Sequence, residues 1–402
     1  MSKRESDAEL MRRCLALARR GLGWTSPNPL VGCVIVRGGE VLAEGAHLEL
    51  GGLHAERAAL LSLSSAADRA AGVITPGCAK GAALYCNLEP CSHEGRQPPC
   101  VNAIIAAGIS VVVWGADDAD PRSAGCARAI LEAAGIEVVS GVLEDECRDL
   151  NDAFYHRHSQ PQDRPGARRR AFVAIKAAVS ADGRIAGPGG APAQITGPQA
   201  RAYAHELRQK YDAILIGAGT LRMDDPLLTV RPDVLAADGI EIERPRDPAA
   251  IVVTASGDLP PEAKLFRAKR AGRIRDCETG DAQVIVAAPD DAVLPELPPH
   301  VSVLRVERLA AGGFDWQSLF EKLPEMGIYS VLVEGGAKVW SALLEREFWD
   351  RLLVFKSGLE IGAGVPVPEI VNSRLRGNAL EGIQRDEIKL GNDVASFFRK
   401  RP

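Results

Sequence analysis

Short apolar runs alternate with helix-like segments along the first 150 residues. The apolar runs have the length of buried strands. The segments between them carry apolar residues at helical spacing and end at glycines such as Gly108 and Gly135. The predicted strands cover 31–36, 41–43, 82–88, 111–113 and 136–139, and the predicted helices cover 10–18, 53–63, 101–107 and 127–134. This alternation predicts an α/β domain with a mostly parallel sheet.

Residues 157–170 interrupt the pattern. This stretch is polar and contains Pro161, Pro165 and Gly166, which is typical of a linker. The alternation then restarts, so we expect one domain over residues 1–156 and a second over 171–402. In the second domain the predicted strands cover 171–177, 213–216, 251–253, 284–287, 301–306, 330–333 and 352–355, the predicted helices cover 198–209, 316–323 and 338–345, and a surface loop covers 232–247.

The composition is that of an ordinary folded protein. Of the 402 residues, 46% are hydrophobic and 25% are charged, which argues against a disordered chain. A net charge of −5 provides no basic field to bind the phosphates of a nucleic acid. No apolar run is long enough to span a bilayer, and residues 1–7 lack an apolar signal core. We therefore expect a cytoplasmic protein that binds neither nucleic acid nor a membrane.

The cysteines are concentrated in the first half of the chain. Eight of the nine precede residue 150, and only Cys277 follows. A disulfide framework would have no reason to stop there, and a large intracellular chain seldom needs one. The asymmetry indicates a thiolate site in the first half.

Four residues of this half form a pattern with metal chemistry. His54 and Glu56 stand at the start of a predicted helix. Cys91 follows a predicted strand, and Cys100 stands at the start of another helix. One imidazole and two thiolates supply three ligands of a tetrahedral zinc ion and leave the fourth position open. Glu56 would move protons between water, a ring nitrogen and a leaving amine, as in zinc deaminases that act on nucleobases.

The spacing of the two cysteines departs from the short form of that motif. Eight residues separate Cys91 from Cys100, where the short form has two. The residues alone also allow both to be ordinary core cysteines, with His54 satisfied within its helix. His93, between the cysteines, is a candidate for substrate contact, for loop structure or for a competing metal ligand.

Longer segments resemble a known family. In the first half they are residues 25–32 (Thr-Ser-Pro-Asn-Pro-Leu-Val-Gly), 88–100, with two prolines before the second cysteine, and 135–143; in the second half they are residues 176–184, 205–208, 212–220, 224–231 and 334–336. Over about residues 7–370 the chain resembles the RibD family of bifunctional riboflavin biosynthesis enzymes. The resemblance implies a zinc-dependent, cytidine-deaminase-like three-layer domain followed by a dihydrofolate-reductase-like α/β domain.

For the first domain the resemblance implies a metal site, a proton shuttle and a substrate contact. These are Zn²⁺ at His54, Cys91 and Cys100, the carboxyl of Glu56, and Asn28 against the pyrimidine. Without the resemblance, Asn28 is a turn residue between two prolines, and the two roles are compatible. The implied reaction is hydrolytic deamination of 2,5-diamino-6-(5-phosphoribosylamino)pyrimidin-4(3H)-one.

For the second domain the resemblance implies NADPH-dependent reduction of 5-amino-6-(5-phosphoribosylamino)uracil to its ribityl form. The implied cofactor-binding residues are Ala178, Thr220, Asp224, Gly335 and Gly336, and the implied substrate-binding residues are Arg208, Leu228, Arg231 and Glu334. The two arginines are expected to pair bidentately with the substrate phosphate. Taken alone, the glycines also fit tight turns, Arg208 a salt bridge on a helix face and Asp224 a turn.

Ala181, Gln194, Thr254 and Ala255 differ from the family's usual residues. Gln194 stands where a tryptophan is common, and Ala255 where a serine is usual, both at positions expected to face the cofactor. A second hypothesis is therefore a deaminase whose second domain is a degenerate binding or assembly module without reductase activity. A third, a nucleic-acid base deaminase, is disfavoured by the acidic balance. The expected partners are a small-molecule substrate and further copies of the chain in a dimer or tetramer.

Overall fold

The computed structural model describes residues 3–95, 97–160, 169–239, 242–268, 283–309, 314–376 and 383–400. The chain divides into two compact units, Met1–Gln162 and Asp163–Pro402. The first three residues of the expected linker, 157–159, belong to a helix that ends at Ser159. Residues 161–168, with the two prolines and the glycine of that linker, lie outside the described residues, as does Cys277.

Five strands and seven helices form the described part of the first unit. The helices are α1 (Lys3–Ala18), α2 (Ala55–Leu63), α3 (Ala66–Ala70), α4 (Cys100–Ala107), α5 (Cys126–Ala133), α6 (Glu144–Leu150) and α7 (Asp152–Ser159), with a 3₁₀ turn at Arg19–Gly21. The strands are β1 (Gly32–Arg37), β2 (Glu40–Ala46), β3 (Ala83–Leu88), β4 (Val111–Ala116) and β5 (Glu137–Val139), in the sheet order β2-β1-β3-β4-β5.

The first sheet is mixed, so the expectation of a mostly parallel sheet is wrong for this unit. Strand β1 pairs antiparallel with both β2 and β3, whereas β3, β4 and β5 are parallel. The cause is the tight turn between β1 and β2, where Gly38 and Gly39 have φ of 62° and 86°. Such positive φ values suit glycine and reverse the chain within two residues, which makes a hairpin.

Helices cover both faces of this sheet. Alternate residues of β1 point to opposite faces, so Cys33 and Ile35 join one core and Val34 joins the other. The first core lies under α2, α4 and α5, and the second lies under α1 and α6. The unit therefore has the expected three layers.

The second unit is built on one large sheet. Its strands are β6 (Phe172–Val179), β7 (Arg184–Ala186), β8 (Ala213–Gly217), β9 (Ala249–Val253), β10 (Val284–Pro289), β11 (Val301–Val306), β12 (Ser330–Gly335), β13 (Arg351–Lys356), β14 (Val365–Pro366), β15 (Ile383–Leu390) and β16 (Asp393–Lys400). Its helices are α8 (Pro198–Lys210), α9 (Ala218–Asp224), α10 (Pro232–Ala236), α11 (Lys264–Arg267), α12 (Trp316–Lys322), α13 (Ala337–Glu345) and α14 (Glu369–Arg376), with 3₁₀ turns at Pro188–Gly190 and Leu323–Met326.

The large sheet contains nine of these strands, in the order β11-β10-β9-β8-β12-β6-β13-β16-β15, and β7 and β14 pair antiparallel in a separate two-stranded sheet. The pairings from β11 to β13 are parallel, and β16 and β15 add an antiparallel hairpin that the apolar pattern did not predict. Helix α10 begins the stretch expected to be a surface loop, because Pro232 is suited to the first position of a helix. Among the described residues no helix is long and apolar enough to cross a bilayer.

Candidate functional sites

Three side chains of the first unit meet at one point. His54 precedes α2, Cys91 follows β3, and Cys100 is the first residue of α4. Nδ1 of His54 lies 3.5 Å from Sγ of Cys91 and 3.4 Å from Sγ of Cys100. The ligand atoms of all three lie within 4.8 Å of one another. The structure thus brings together the three residues predicted to bind zinc.

The spacing of these atoms fits zinc. Zn–S bonds of about 2.3 Å and Zn–N bonds of about 2.0 Å place nitrogen and sulfur about 3.5 Å apart around a tetrahedral ion. The observed separations of 3.5 Å and 3.4 Å match this value. All eight described cysteines are free, so neither sulfur is held in a disulfide. Three ligands leave one position for water, as in catalytic zinc sites.

Cys91 and Cys100 are hydrogen-bonded to each other. The amide of Cys100 donates to Sγ of Cys91 over 3.3 Å, at the start of α4 where backbone N–H groups are free. A hydrogen bond between the two thiol side chains lowers the pKa of Cys91 to about 4 and raises the pKa of Cys100. Cys91 is therefore the more acidic of the two thiols, and cysteine binds zinc as the thiolate.

Glu56 lies in the first turn of α2 and is 4% exposed. Burial raises the pKa of its carboxyl. A close approach of β2 makes this packing possible, because a Cβ at Gly45 would overlap the carbonyl of Ala55. The carboxyl of Glu56 is hydrogen-bonded to Cys100 and interacts with the charges of His54 and Cys91, so it lies where a proton shuttle is needed.

Glu89 holds the loops around this site together, although no motif in the sequence assigns it a role. Its buried carboxylate accepts hydrogen bonds from three backbone amides, those of Asp118 (3.1 Å), Gly125 (3.0 Å) and Ala127 (3.0 Å). These bonds tie the segment after β4 to the segment that carries Cys91. The only signal in the sequence was a lone acid beside the Pro-Cys pair.

We expect Glu89→Ala to weaken zinc binding by about 10- to 100-fold, because groups that orient metal ligands contribute that much to affinity. The measurement is zinc competition with a chelator of known affinity. Glu94→Ala is the matched control, since Glu94 is an exposed acid in the same loop. An affinity equal in the two variants would contradict this role for Glu89.

Asn28 and His47 form a pair beside the metal centre. Nδ2 of Asn28 lies 3.3 Å from Nε2 of His47, and Nδ1 of His47 lies 2.8 Å from the carbonyl oxygen of Leu53. The His47 and His54 rings meet edge to face, with their centroids 5.5 Å apart. The structure therefore places Asn28 one side chain away from the predicted zinc ligand.

His93 lies outside the three-ligand cluster found in the described residues. Its Nδ1 lies 2.6 Å from Oγ of Ser123, and the same hydroxyl accepts from the amide of Ser92 over 3.4 Å. Of the three candidate roles for His93, this contact favours loop structure or substrate contact.

In the second unit, Arg208 and Glu334 form a largely buried bidentate pair, with side chains 18% and 10% exposed. Nε and Nη2 of Arg208 donate to the two carboxylate oxygens of Glu334 over 2.8 Å and 2.5 Å, and Nη1 donates to the carbonyl of Thr229 over 2.8 Å. Although burial opposes ionisation, Arg208 lowers the pKa of Glu334. The fork of Arg208 is thus occupied by protein, so it is not turned to a phosphate as expected.

Lys176 lies beside this pair and was not among the predicted site residues. It is on β6, which pairs with the strand of Glu334, and its Nζ is 5.1 Å from the centre of the Phe355 ring. Burial lowers the pKa of Lys176. A single lysine within a strongly apolar strand was the signal that could have identified it.

Thr220 contacts the turn formed by Gly335 and Gly336. A Cβ at Gly335 would lie 2.9 Å from Cγ2 and 3.0 Å from Oγ1 of Thr220, so only glycine fits there. Gly335 ends β12 and Gly336 precedes α13, while Thr220 and Asp224 lie one helical turn apart on α9. The structure therefore brings four of the five predicted cofactor residues to the ends of β8 and β12.

The other predicted residues differ in burial. Leu228 is 3% exposed and has φ of 54°, a strained backbone for a non-glycine residue, while Arg231 is exposed. The Arg231 amide donates to Nδ1 of His205 over 3.2 Å, and burial lowers the pKa of His205 to about 4. Ala178 is on β6, the strand of Lys176.

The positions that depart from the family pattern are accommodated locally. Thr254 is 3% exposed, and its hydroxyl accepts from the amide of Gly257 over 3.0 Å. The carbonyl of Ala255 accepts from Arg308 over 2.9 Å. Ala181 and Gln194 are exposed. The segment of Thr254 and Ala255 therefore stays hydrogen-bonded without the usual side chains.

Two family models match the chain. The model for the cytidine and deoxycytidylate deaminase zinc-binding region matches residues 4–116, and the model for the RibD C-terminal domain matches residues 171–386. A match over most of the second unit supports the bifunctional hypothesis and not the degenerate-module alternative.

Individual relatives agree with these matches. The RibD riboflavin biosynthesis protein of Actinobacillus pleuropneumoniae is 37% identical over 352 residues, which are 87% of this chain and 83% of the relative. That of Aquifex aeolicus is 32% identical over 99% of each chain. The crystal structure of a diaminohydroxyphosphoribosylaminopyrimidine deaminase/5-amino-6-(5-phosphoribosylamino)uracil reductase from Thermotoga maritima is 32% identical, with a TM-score of 0.73, over 99% of this chain and 100% of that one.

The expected fold is confirmed by these likenesses and by the sheets described above. The metal triad matches the zinc-binding deaminase region, and the reductase domain of this family uses NADPH. The chain belongs to the RibD family of riboflavin biosynthesis proteins, with a zinc-binding deaminase domain followed by a reductase domain.

Proposed function

We propose that the chain carries out two consecutive reactions. The first is hydrolytic deamination of 2,5-diamino-6-(5-phosphoribosylamino)pyrimidin-4(3H)-one, with His54, Cys91 and Cys100 as zinc ligands. The second is NADPH-dependent reduction of the resulting uracil to its ribityl form. The observation that carries the proposal is the convergence of one imidazole and two thiols beside a buried carboxyl.

In the deaminase site the chain positions the substrate and moves protons. Zinc, when bound, lowers the pKa of water to near neutrality. Glu56 is buried beside the ligands and accepts the proton of the attacking water. It donates that proton to the ring nitrogen as the water oxygen bonds to the amino-bearing carbon, and then moves the second proton of the same oxygen to the amino nitrogen, so that the C–N bond breaks and ammonia departs. Asn28 holds the pyrimidine at the correct distance from Glu56.

In the reductase site the chain orients two molecules. NADPH supplies the hydride, so the work of the protein is positioning. Thr220 and the Gly335-Gly336 turn let the phosphates of the cofactor approach the backbone N–H groups at the start of α13. Asp224 and Ala178 complete this cofactor surface. We assign substrate contact to Leu228 and to the Arg208–Glu334 pair, and phosphate contact to the exposed Arg231.

The test is sequential and uses the full chain. Metal analysis should give one zinc per chain, the diaminopyrimidinone should release ammonia, and NADPH should be oxidised only once the deaminated intermediate is present. Release of ammonia without NADPH oxidation would remove the second reaction from the proposal.

Asp224→Asn and Arg231→Ala are expected to impair reduction and spare deamination. Loss of one charge-assisted contact of 1.5–3 kcal/mol corresponds to a decrease in kcat/KM of about 10- to 100-fold. NADPH oxidation and ammonia release are measured on the same preparation. Asp233→Asn, at another exposed acid of this segment, serves as the control. A normal reduction rate in Asp224→Asn would contradict the assignment of this residue.

Further properties remain predictions of the same proposal. We place the functional domain borders at residues 1–156 and 171–402, separated by a linker, and expect each part to contain one complete site. We expect a homo-oligomer, either a dimer or a tetramer, which sedimentation analysis measures directly. We expect the protein in the cytoplasm, which fractionation of the source cells would test.

A further inference from the structure

A chain of hydrogen bonds leads from a backbone carbonyl through His47 to Asn28. The Leu53 oxygen lies 2.8 Å from Nδ1 of His47, and Nε2 of the same ring lies 3.3 Å from Nδ2 of Asn28. The mechanism above uses Asn28 but leaves His47 without a role. The geometry of these two hydrogen bonds determines which end of the Asn28 amide faces the substrate.

The Leu53 carbonyl sets the tautomer of His47. A carbonyl oxygen only accepts hydrogen bonds, so Nδ1 of His47 carries a proton. The residue is 3% exposed, and its ring stands edge to face against His54, the predicted ligand of a cation. In the structure Nε2 faces the NH₂ group of Asn28, which is a donor, so Nε2 is an acceptor and the ring proton lies on Nδ1.

The tautomer in turn sets the orientation of Asn28. An asparagine amide has an accepting oxygen and a donating NH₂ group, and its hydrogen-bond partners decide which end lies where. An accepting Nε2 on His47 selects the NH₂ end of Asn28, in agreement with the observed contact. The Oδ1 atom of Asn28 then points away from His47, with lone pairs available for another partner.

We propose that His47 is a positioning residue that presents the Oδ1 atom of Asn28 to the pyrimidine, so that the deaminase site selects a ring with an N–H donor on that edge. The proposal rests on the proposed function, because it takes Asn28 to be the pyrimidine contact. A ring with only acceptors on this edge would place them against the lone pairs of Oδ1, and the two would repel each other. An aminopyrimidinone, with its amino group and protonated ring nitrogen, satisfies the requirement.

The first test measures the tautomer itself. Nitrogen-15 NMR of the zinc-loaded full chain with labelled histidine separates protonated from unprotonated ring nitrogens, and the spectrum of His47→Asn identifies the His47 signals. We expect a protonated Nδ1 and an unprotonated Nε2. A protonated Nε2, with or without a proton on Nδ1, would overturn the proposal. This readout is independent of turnover.

The second test separates positioning from bracing of the 47–53 segment. His47→Asn retains an N–H near the place of Nδ1 and has no group that reaches Asn28, whereas His47→Gln places an amide oxygen near Nε2. We expect kcat/KM for deamination to fall about 10- to 100-fold in His47→Asn, chiefly through KM, and to recover to within about threefold of the natural enzyme in His47→Gln. Equal losses in both variants at normal zinc content, or full activity of His47→Asn, would contradict the proposal. Absence of deamination in the natural enzyme counts instead against the proposed function, and the tautomer then remains measurable.

Discussion

Glu56→Gln should reduce ammonia release by about 100- to 10,000-fold while zinc remains bound, because a positioned proton shuttle contributes that much to the rate. The amide of glutamine is close in size to the carboxyl that it replaces, so the buried pocket beside His54 keeps its shape. The glutamine amide neither gains nor loses a proton at neutral pH, so it cannot act as the shuttle. Ammonia release, zinc content and the folded state are measured on the same sample.

Two controls make the Glu56 result specific. Glu94→Gln alters an exposed acid between the two cysteines and should deaminate at the normal rate. NADPH oxidation by Glu56→Gln, started from the deaminated intermediate, should also be normal, since that reaction belongs to the other unit. Deamination at the normal rate in Glu56→Gln would end the assignment of this residue.

Glu334→Gln should lower the free energy of unfolding of the reductase unit by about 3 kcal/mol and abolish most NADPH oxidation. The reason is that Arg208 would remain largely buried as a cation without its counter-charge, and an unpaired buried charge is strongly destabilising. The bidentate bond of 2.8 Å and 2.5 Å would lose its ionic character. Denaturant unfolding followed by a probe in this unit measures the change.

The matched control for Glu334→Gln is Asp386→Asn. Asp386 accepts from Arg399 over 3.1 Å in an exposed pair on the terminal hairpin. Exposed pairs contribute less than about 1 kcal/mol, so this variant should be nearly as stable as the natural enzyme. Equal destabilisation in the two variants would show that the burial of the Arg208–Glu334 pair has no special importance.

The metal centre was the part of the site that the sequence could predict. A histidine, a glutamate two residues later and two distant cysteines have few structural reasons to occur together, and their chemistry requires that arrangement. The support from Glu89 could not be predicted, since it depends on three backbone amides brought near by the loop after β4. The pairing of Arg208 with Glu334 could not be predicted either, because these residues lie 126 positions apart in the sequence.

The fold likewise has elements that the sequence could predict and elements that it could not. Buried strands such as β8 and β12 are visible as apolar runs, and the turns after them as glycines. Strand β15 has many exposed side chains and therefore a weak apolar pattern, although its partner β16 is mostly buried. The turn between the two strands did carry a signal, the Gly391-Asn392 pair, with φ of 65° at Gly391. The antiparallel course of β1 was likewise implied by Gly38-Gly39, whose tightness forbids a crossover helix.

The position of β6 in the large sheet has a consequence for how the chain reaches its native state. This apolar strand is synthesised early in its unit, yet its neighbours are β12 and β13, with Phe172 opposite Ser330. Closing so long a loop before any pairing is gained makes assembly slow, and an unpaired apolar strand is prone to aggregate meanwhile. The deaminase sheet joins β1 to its first partner through a two-residue turn. During synthesis the metal-binding half can therefore begin to pair its strands early, whereas β6 stays unpaired until β12 and β13 have been made.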